Sequence, residues 1–258
     1  MRIGCTGKKD RISLMDQCGF DYAELALWDF VDYSEEDIVE IKKALAGVGL
    51  KSEVFNCFFP KDVKLMGAEA DPKIIADTVE RNLKILTRFG AKVVVVGSGK
   101  SRVIPEGYTK ENAMECFAEV MNICCDRCAR EGIKVTVEPL ARKDTNFINT
   151  VTDAVEFGEY LKNPNLGYLV DFFHFSLNEE PLEELDILKG RLDHVHIARG
   201  NLDRLPPMKE DEEQVRSWMQ KLKELGYHDR ITYECRFQPD LVSSMQDSIA
   251  MFPLLREV

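Results

Sequence analysis

Four short segments decide how this chain folds: KVTVEPL from Lys134, GYLVDFFH from Gly167, DHVHIAR from Asp193 and RITYECRF from Arg230. In each, an apolar run leads to one side chain that can bind a metal: Glu138, Asp171, His196 and Glu234. Successive residues of a strand point to opposite faces. Val135 and Val137 therefore share one face, and Thr136 and Glu138 the other. Val195 and Ile197 alternate with His194 and His196, and Ile231 and Tyr233 alternate with Thr232, Glu234 and Arg236. Asp171 keeps phase with Leu169. The branched apolar residues suit a face covered by helices, which turns the four metal-seeking groups toward an interior. Carboxylates buried there without a cation or base would be costly.

The same grammar extends upstream. RIGCTG from Arg2, YAELALW from Tyr22, KSEVFNCF from Lys51 and KVVVVGSG from Lys92 read as strands. LGYLVD from Leu166 and LDHVHIA from Leu192 complete the sixth and seventh. In YAELALW, Ala23, Leu25 and Leu27 take the outward phase, and Glu24 and Trp28 the inward one. Helical patterns lie between the strands. SEEDIVEIKKALAGVG opens on Ser34 as N-cap with acidic residues in its first turn. DPKIIADTVERNLKILTRFG starts at Asp71-Pro72 and stops at Gly90. EDEEQVRSWMQKLKELGY and the closing LVSSMQDSIAMFPLLREV also read as helical. Eight strand–helix repeats favour closure of a parallel sheet into a single (β/α)8 TIM barrel, with residues 1–258 as one domain. In such a barrel the C-terminal strand ends face one shared pocket. CTGKKD after the first strand has neither the dinucleotide nor the P-loop spacing.

Composition narrows the function. A formal net charge of −11 argues against a protein whose task is gripping a phosphate backbone, so no nucleic-acid partner is expected. Small anionic substrates remain open, since one or two local arginines suffice. No stretch reads as a membrane span or a signal peptide, so the expected location is cytoplasmic, with eight reduced cysteines. Cys124, Cys125 and Cys128 share a helical segment without a second ligand pair, so they read as packing rather than a zinc site. His194 reads as a buried support beneath His196, and His228 lies at the opposite barrel end. Trp28, Phe58 and Phe59 follow strands and are candidate walls of a pocket; Lys8 and Lys9 read as a solvated pair.

The segments VEPLARKDTNFINT, VDFFHFSLNEE, HVHIARGNLDRLPP and ITYECRF resemble the xylose-isomerase-like TIM barrels, particularly ketose 3-epimerases and related sugar isomerases. The resemblance covers nearly the whole chain in strand–helix order. It implies that Glu138, Asp171, His196 and Glu234 hold one divalent cation, and that Glu138 and Glu234 are also the catalytic acid–base pair. Three carboxylates and one imidazole favour Mn²⁺, with Mg²⁺ or Co²⁺ as alternatives. His174 would contact a substrate oxygen. Asp144 stands where the family usually places a second Glu. The family's substrate-binding arginine is matched by Arg204 in DRLPP, with Arg199 as competitor. Arg236, in phase beyond Glu234, is a further candidate to steer an anionic intermediate or pair with a carboxylate.

The activity so implied is a metal-dependent sugar isomerase or epimerase, working by proton abstraction beside a carbonyl through an enediolate. A lyase or dehydratase acting on a keto-sugar or keto-inositol, resembling inosose dehydratases or C-glycoside deglycosidases, is the alternative. Zinc-dependent apurinic endonucleases share the barrel and an Asp-x-x-His like Asp171 and His174. Their several zinc ions need more histidines than the four present here, none of which precedes His174. The expected partner is a small sugar or sugar derivative, and family members are often homo-oligomers.

Overall fold

A computed structural model describes residues 1–257. Eight parallel strands close into a barrel in sequence order: β1 (Arg2–Gly7), β2 (Tyr22–Ala26), β3 (Val54–Asn56), β4 (Val93–Val96), β5 (Lys134–Val137), β6 (Leu166–Asp171), β7 (Leu192–Ile197) and β8 (Arg230–Tyr233). β8 pairs with β1 through Arg2↔Arg230 to Cys5↔Tyr233, which closes the ring. Helices α1 (Ile12–Gln17), α2 (Glu35–Val48), α3 (Pro72–Phe89), α4 (Lys110–Arg130), α5 (Val151–Leu161), α6 (Phe172–Leu177), α7 (Glu212–Glu224), α8 (Leu241–Met245) and α9 (Phe252–Arg256) surround it. The expected (β/α)8 barrel is therefore the observed one. Among the described residues, no helix is long and apolar enough to cross a membrane.

Helix ends follow local chemistry. Ser34 and Asp37 form a reciprocal capping box on α2, and Gly49 closes it at φ 74°. The Asp71 carboxylate accepts from the amides of Lys73 and Ile74, Pro72 fills the first turn of α3, and Gly90 ends it. The closing segment departs from the expected continuous helix. It breaks into α8, a 3-10 turn over Ser248–Met251 and α9. Pro253 explains the restart, because its ring cannot follow a preceding helical turn but fits a new first turn.

The strand phase sorts the core into two compartments. Val135, Val137, Val195, Ile197, Ile231, Tyr233, Ala23 and Leu25 all join the large apolar cluster between sheet and helices. Inside the barrel a second cluster, Tyr22, Val54, Val93, Val95 and Leu169, plugs the N-terminal half. Tyr22 fits because β1 has glycine at position 4: a Cβ there would lie 2.2 Å from the Tyr22 ring. Beyond this plug the barrel interior turns polar toward the C-terminal strand ends. His228 lies at the other end, beside Asp229 and Lys134. The α4 thiols of Cys124, Cys125 and Cys128 are buried, and burial pushes Cys125 and Cys128 up to about 12, as expected of packing groups.

Candidate active site

Glu138, Asp171, His196 and Glu234 converge where β5 to β8 end, with ligand atoms all within 4.8 Å of one another. His196 is fully buried at their centre. Its Nδ1 lies 3.1 Å from Glu138 Oε1 and 3.0 Å from Glu234 Oε2. Its Nε2 is held 3.0 Å from Glu24 Oε1 on β2. Asp171 divides its carboxylate: Oδ1 caps α6 by accepting from the Phe173 amide at 2.9 Å, and Oδ2 faces the cluster.

A polar layer supports these groups from below. Thr232 Oγ1 donates to Glu24 Oε2 at 2.6 Å, His194 Nε2 lies 3.0 Å from the same oxygen, and Tyr22 donates its hydroxyl proton to Thr232 at 2.6 Å. His194 is thus the buried support expected. Strand phase marks Glu24 only as an inward residue, yet it orients both histidines. Phase alone carried no signal of that role, because its partners lie about 170 positions away.

Two more contributors carry no signal in the sequence. Asn56, the last residue of β3, donates from Nδ2 to Glu234 Oε1 at 3.0 Å, and its buried Oδ1 has no partner. Arg102 is wholly buried and donates to the carbonyls of Glu138 (2.6 Å), Ile148 and Val96, tying the ends of β4 and β5 together. A buried arginine serving carbonyls has no period-two or motif signature; the nearest signal was an Arg just after a Gly-Ser turn.

The substrate-contact candidates scatter. Arg204, in left-handed backbone at φ 52°, donates from Nε to the Glu234 carbonyl at 2.9 Å and from Nη2 to Asp171 Oδ2 at 2.8 Å and to Glu234 Oε2. Its guanidinium lies 4.5 Å over the Phe173 ring. Strained backbone of this kind persists where surroundings over-determine it. Arg199 instead pairs with Glu210 and Asp211. His174 is buried, with Nδ1 accepting from the Ala141 amide at 3.1 Å and Nε2 3.6 Å from Asp171 Oδ2. Asp144 stands further out, 3.7 Å from His174 Nδ1 and 3.2 Å from Lys143. Arg236 is exposed at the rim of a cavity of about 310 Å³ that also reaches Trp28, Asn56, Arg204 and Glu234. Trp28 is half-exposed there, whereas Phe58 and Phe59 are buried. The Lys8–Lys9 pair is not simply solvated: Lys8 pairs with Asp29, and Lys9 with Asp37 and Glu40.

Electrostatics shows a site short of positive charge. Burial, reinforced by the neighbouring Glu234, pushes the Glu138 carboxyl up. Burial likewise pushes Asp171 up to about 7, against the pull of Arg204. Burial opposes ionisation of Glu234 too, but Arg204 and His196 hold it at about 2. His196 is raised well above its ordinary value, because its carboxylate neighbours Glu24, Glu234 and Glu138 outweigh burial. Glu138, Asp171 and Glu234, three carboxylates, thus share the His196 imidazole and the Arg204 guanidinium. An oxygen-rich set with a single nitrogen donor fits one hard divalent cation.

Residues 12–253 match the family model of the xylose isomerase-like TIM barrel. The chain belongs to that family. A 2-oxo-tetronate isomerase of Haemophilus influenzae is 30% identical over 239 residues, covering 89% of this chain and 87% of its own. An L-ribulose 3-epimerase of a Methylomonas species is 25% identical, covering 88% and 78%. Among solved structures, a 3-keto-D-glucoside 4-epimerase from E. coli superposes with a TM-score of 0.81 at 21% identity over all of both chains, a likeness of fold. Within the family, this protein is an isomerase or epimerase, the enzyme class expected from its sequence.

Proposed function

We propose that the protein is a divalent-metal-dependent epimerase or isomerase of a keto sugar, closest in chemistry to a ketose 3-epimerase. The observation that carries this reading is the pair of carboxylates, Glu138 and Glu234, flanking one His196 nitrogen at 3.1 and 3.0 Å from non-adjacent strands. Glu138, Asp171, His196 and Glu234 would hold the cation, with Mn²⁺ the favoured ion. Bound there, it would supply a Lewis acid for the charge that develops on a ketone oxygen.

The chain's own groups do the rest. Epimerisation moves a proton off one face of the carbon beside the ketone and returns one to the other face. Glu138 and Glu234 approach from different sides of the barrel and suit those two steps. Asn56 fixes one oxygen of Glu234, and its free Oδ1 can accept from a sugar hydroxyl. Arg204 balances the charge of Asp171 and Glu234 as an enediolate forms and collapses. Trp28 provides an apolar wall beside these polar groups, the usual composition of a small-molecule pocket. Asp144, His174 and Arg236 complete the substrate-binding set, with His174 contacting a substrate oxygen. The relatives' names do not choose between charged and neutral substrates, since one names a 2-oxo-tetronate, an acid, and another L-ribulose, a neutral sugar.

Incubating the protein with Mn²⁺ and a panel of ketoses in D₂O tests the reading. Deuterium at C3 of an inverted product is expected, and Glu138→Gln or Glu234→Gln should slow its appearance by about 10²-fold or more. Deuterium at C1 or C2 would make the enzyme an aldose–ketose isomerase. Loss of water or of an aglycone would move it to the lyase branch. Exchange that survives both substitutions would remove the acid–base pair from the account.

A further inference from the structure

The cavity that reaches Glu234 has the opposite charge balance to the molecule. Four cations line it, Lys8, Arg11, Arg204 and Arg236, against two carboxylates, Asp29 and Glu234. The whole chain carries −11. Two of these cations are already answered: Lys8 Nζ lies 2.9 Å from Asp29, and Arg204 is bound by Asp171 and Glu234. Among the described residues, Arg11 and Arg236 have no carboxylate within 4.0 Å. Surface arginines elsewhere commonly do, as Arg2 with Glu53, Arg88 with Glu35 and Arg191 with Glu159.

Both unpaired arginines are anchored without being neutralised. Arg11 is half-buried, with its guanidinium carbon 5.5 Å over the Phe237 ring. The Arg236 amide donates to the Arg204 carbonyl at 2.8 Å, which ties its backbone to the loop covering the site. They follow β1 and β8, which pair directly, so the two come from opposite ends of the sequence to one side of the mouth.

We propose that the substrate carries an anionic group, a carboxylate or a phosphate, which Arg11 and Arg236 bind while the keto carbon lies at Glu138 and Glu234. This rests on the reading of the site as one for keto-sugar chemistry. Guanidinium forks match the paired oxygens of either anion, and such charge-assisted bonds are stronger than those to hydroxyls. A neutral ketose would leave both cations unanswered. A positive mouth on an acidic protein also draws anions selectively to this one opening.

The test compares the Mn²⁺-loaded full chain on D-fructose, D-fructose 6-phosphate and 2-keto-D-gluconate at low ionic strength. The expected result is a kcat/KM for one charged probe at least about tenfold above that for D-fructose. That ratio should fall about tenfold in the Arg11→Gln/Arg236→Gln double variant. Whichever anion is preferred identifies the source of the charge. Equal or better use of D-fructose, or a ratio unchanged in the double variant, overturns the proposal. Calorimetry with unreactive probes, D-gluconate and D-glucitol 6-phosphate against D-glucitol, decides it independently of turnover. Tighter binding of an anion, weakened in the double variant, supports the proposal even if no probe exchanges deuterium, in which case only the keto-sugar reading fails. Equal binding of all three overturns it.

Discussion

His196 is gripped from both sides. Its Nδ1 faces two carboxylates, and its Nε2 is fixed by Glu24 at 3.0 Å. A carboxylate behind a metal-binding imidazole fixes its tautomer and orientation and raises its basicity. Glu24 is therefore a positioning residue in this account. It is fully buried, and although burial opposes ionisation, His196 and His194 hold it well below the ordinary carboxylate range. Glu24→Gln keeps the shape but turns an amide NH₂ toward a partner that needs an acceptor. The expected outcome is Mn²⁺ affinity about 10- to 100-fold weaker by calorimetry, with the circular dichroism of the fold retained. An unchanged affinity would mean that Glu24 merely fills the barrel. At this scale the sequence was legible where phase was enough: Glu138, Asp171, His196 and Glu234 all fall where period two puts them. It was not legible for Glu24, Asn56 and Arg102, whose roles come from partners set by barrel closure rather than from neighbours in the chain.

β5, β6, β7 and β8 deliver Glu138, Asp171, His196 and Glu234 within one residue of their ends, and the elements make room for one another. β4 ends at Val96, and Gly97 follows directly beside Glu138. A Cβ on Gly97 would stand 2.2 Å from Glu138 Oε2. The clash meets the tip of a side chain, so the fold can absorb it by moving Glu138, and the site cannot. Gly97→Ala should therefore cost less than about 1 kcal/mol of stability in a denaturant melt. It should lower solvent exchange into substrate by about tenfold or more, because small misplacements of a reacting group are costly. Full activity in Gly97→Ala would show that Glu138 has slack. Element boundaries explain other differences from the sequence reading. KSEVFNCF and KVVVVGSG contain only short ladders, Val54–Asn56 and Val93–Val96, and after β3 the chain leaves the sheet at Cys57, which lines the cavity. The terminal apolar periodicity was real, but periodicity does not register the break that Pro253 imposes.

On the scale of the molecule, the barrel is a device for bringing side chains from β2 to β8 to one point. Its apolar plug closes the N-terminal half, and its polar half opens on a mouth whose charge opposes that of the rest of the chain. The alternation of strands and helices made this architecture readable. Eight units of about the right length leave few other ways to bury apolar faces on both sides of a parallel sheet. The charge of the mouth was not readable, since Arg11 and Arg236 meet only when β8 pairs with β1. In the proposed mechanism one divalent cation, held by Glu138, Asp171, His196 and Glu234, enables proton transfer beside a ketone. The most direct measurement is deuterium uptake from D₂O into a ketose substrate by protein stripped with a chelator and titrated with Mn²⁺. Uptake should vanish on stripping and return in full at one ion per chain, and Asp171→Asn should fail to recover it at that stoichiometry. Uptake that persists in the stripped protein, or that needs two ions per chain, would rule out a one-cation mechanism.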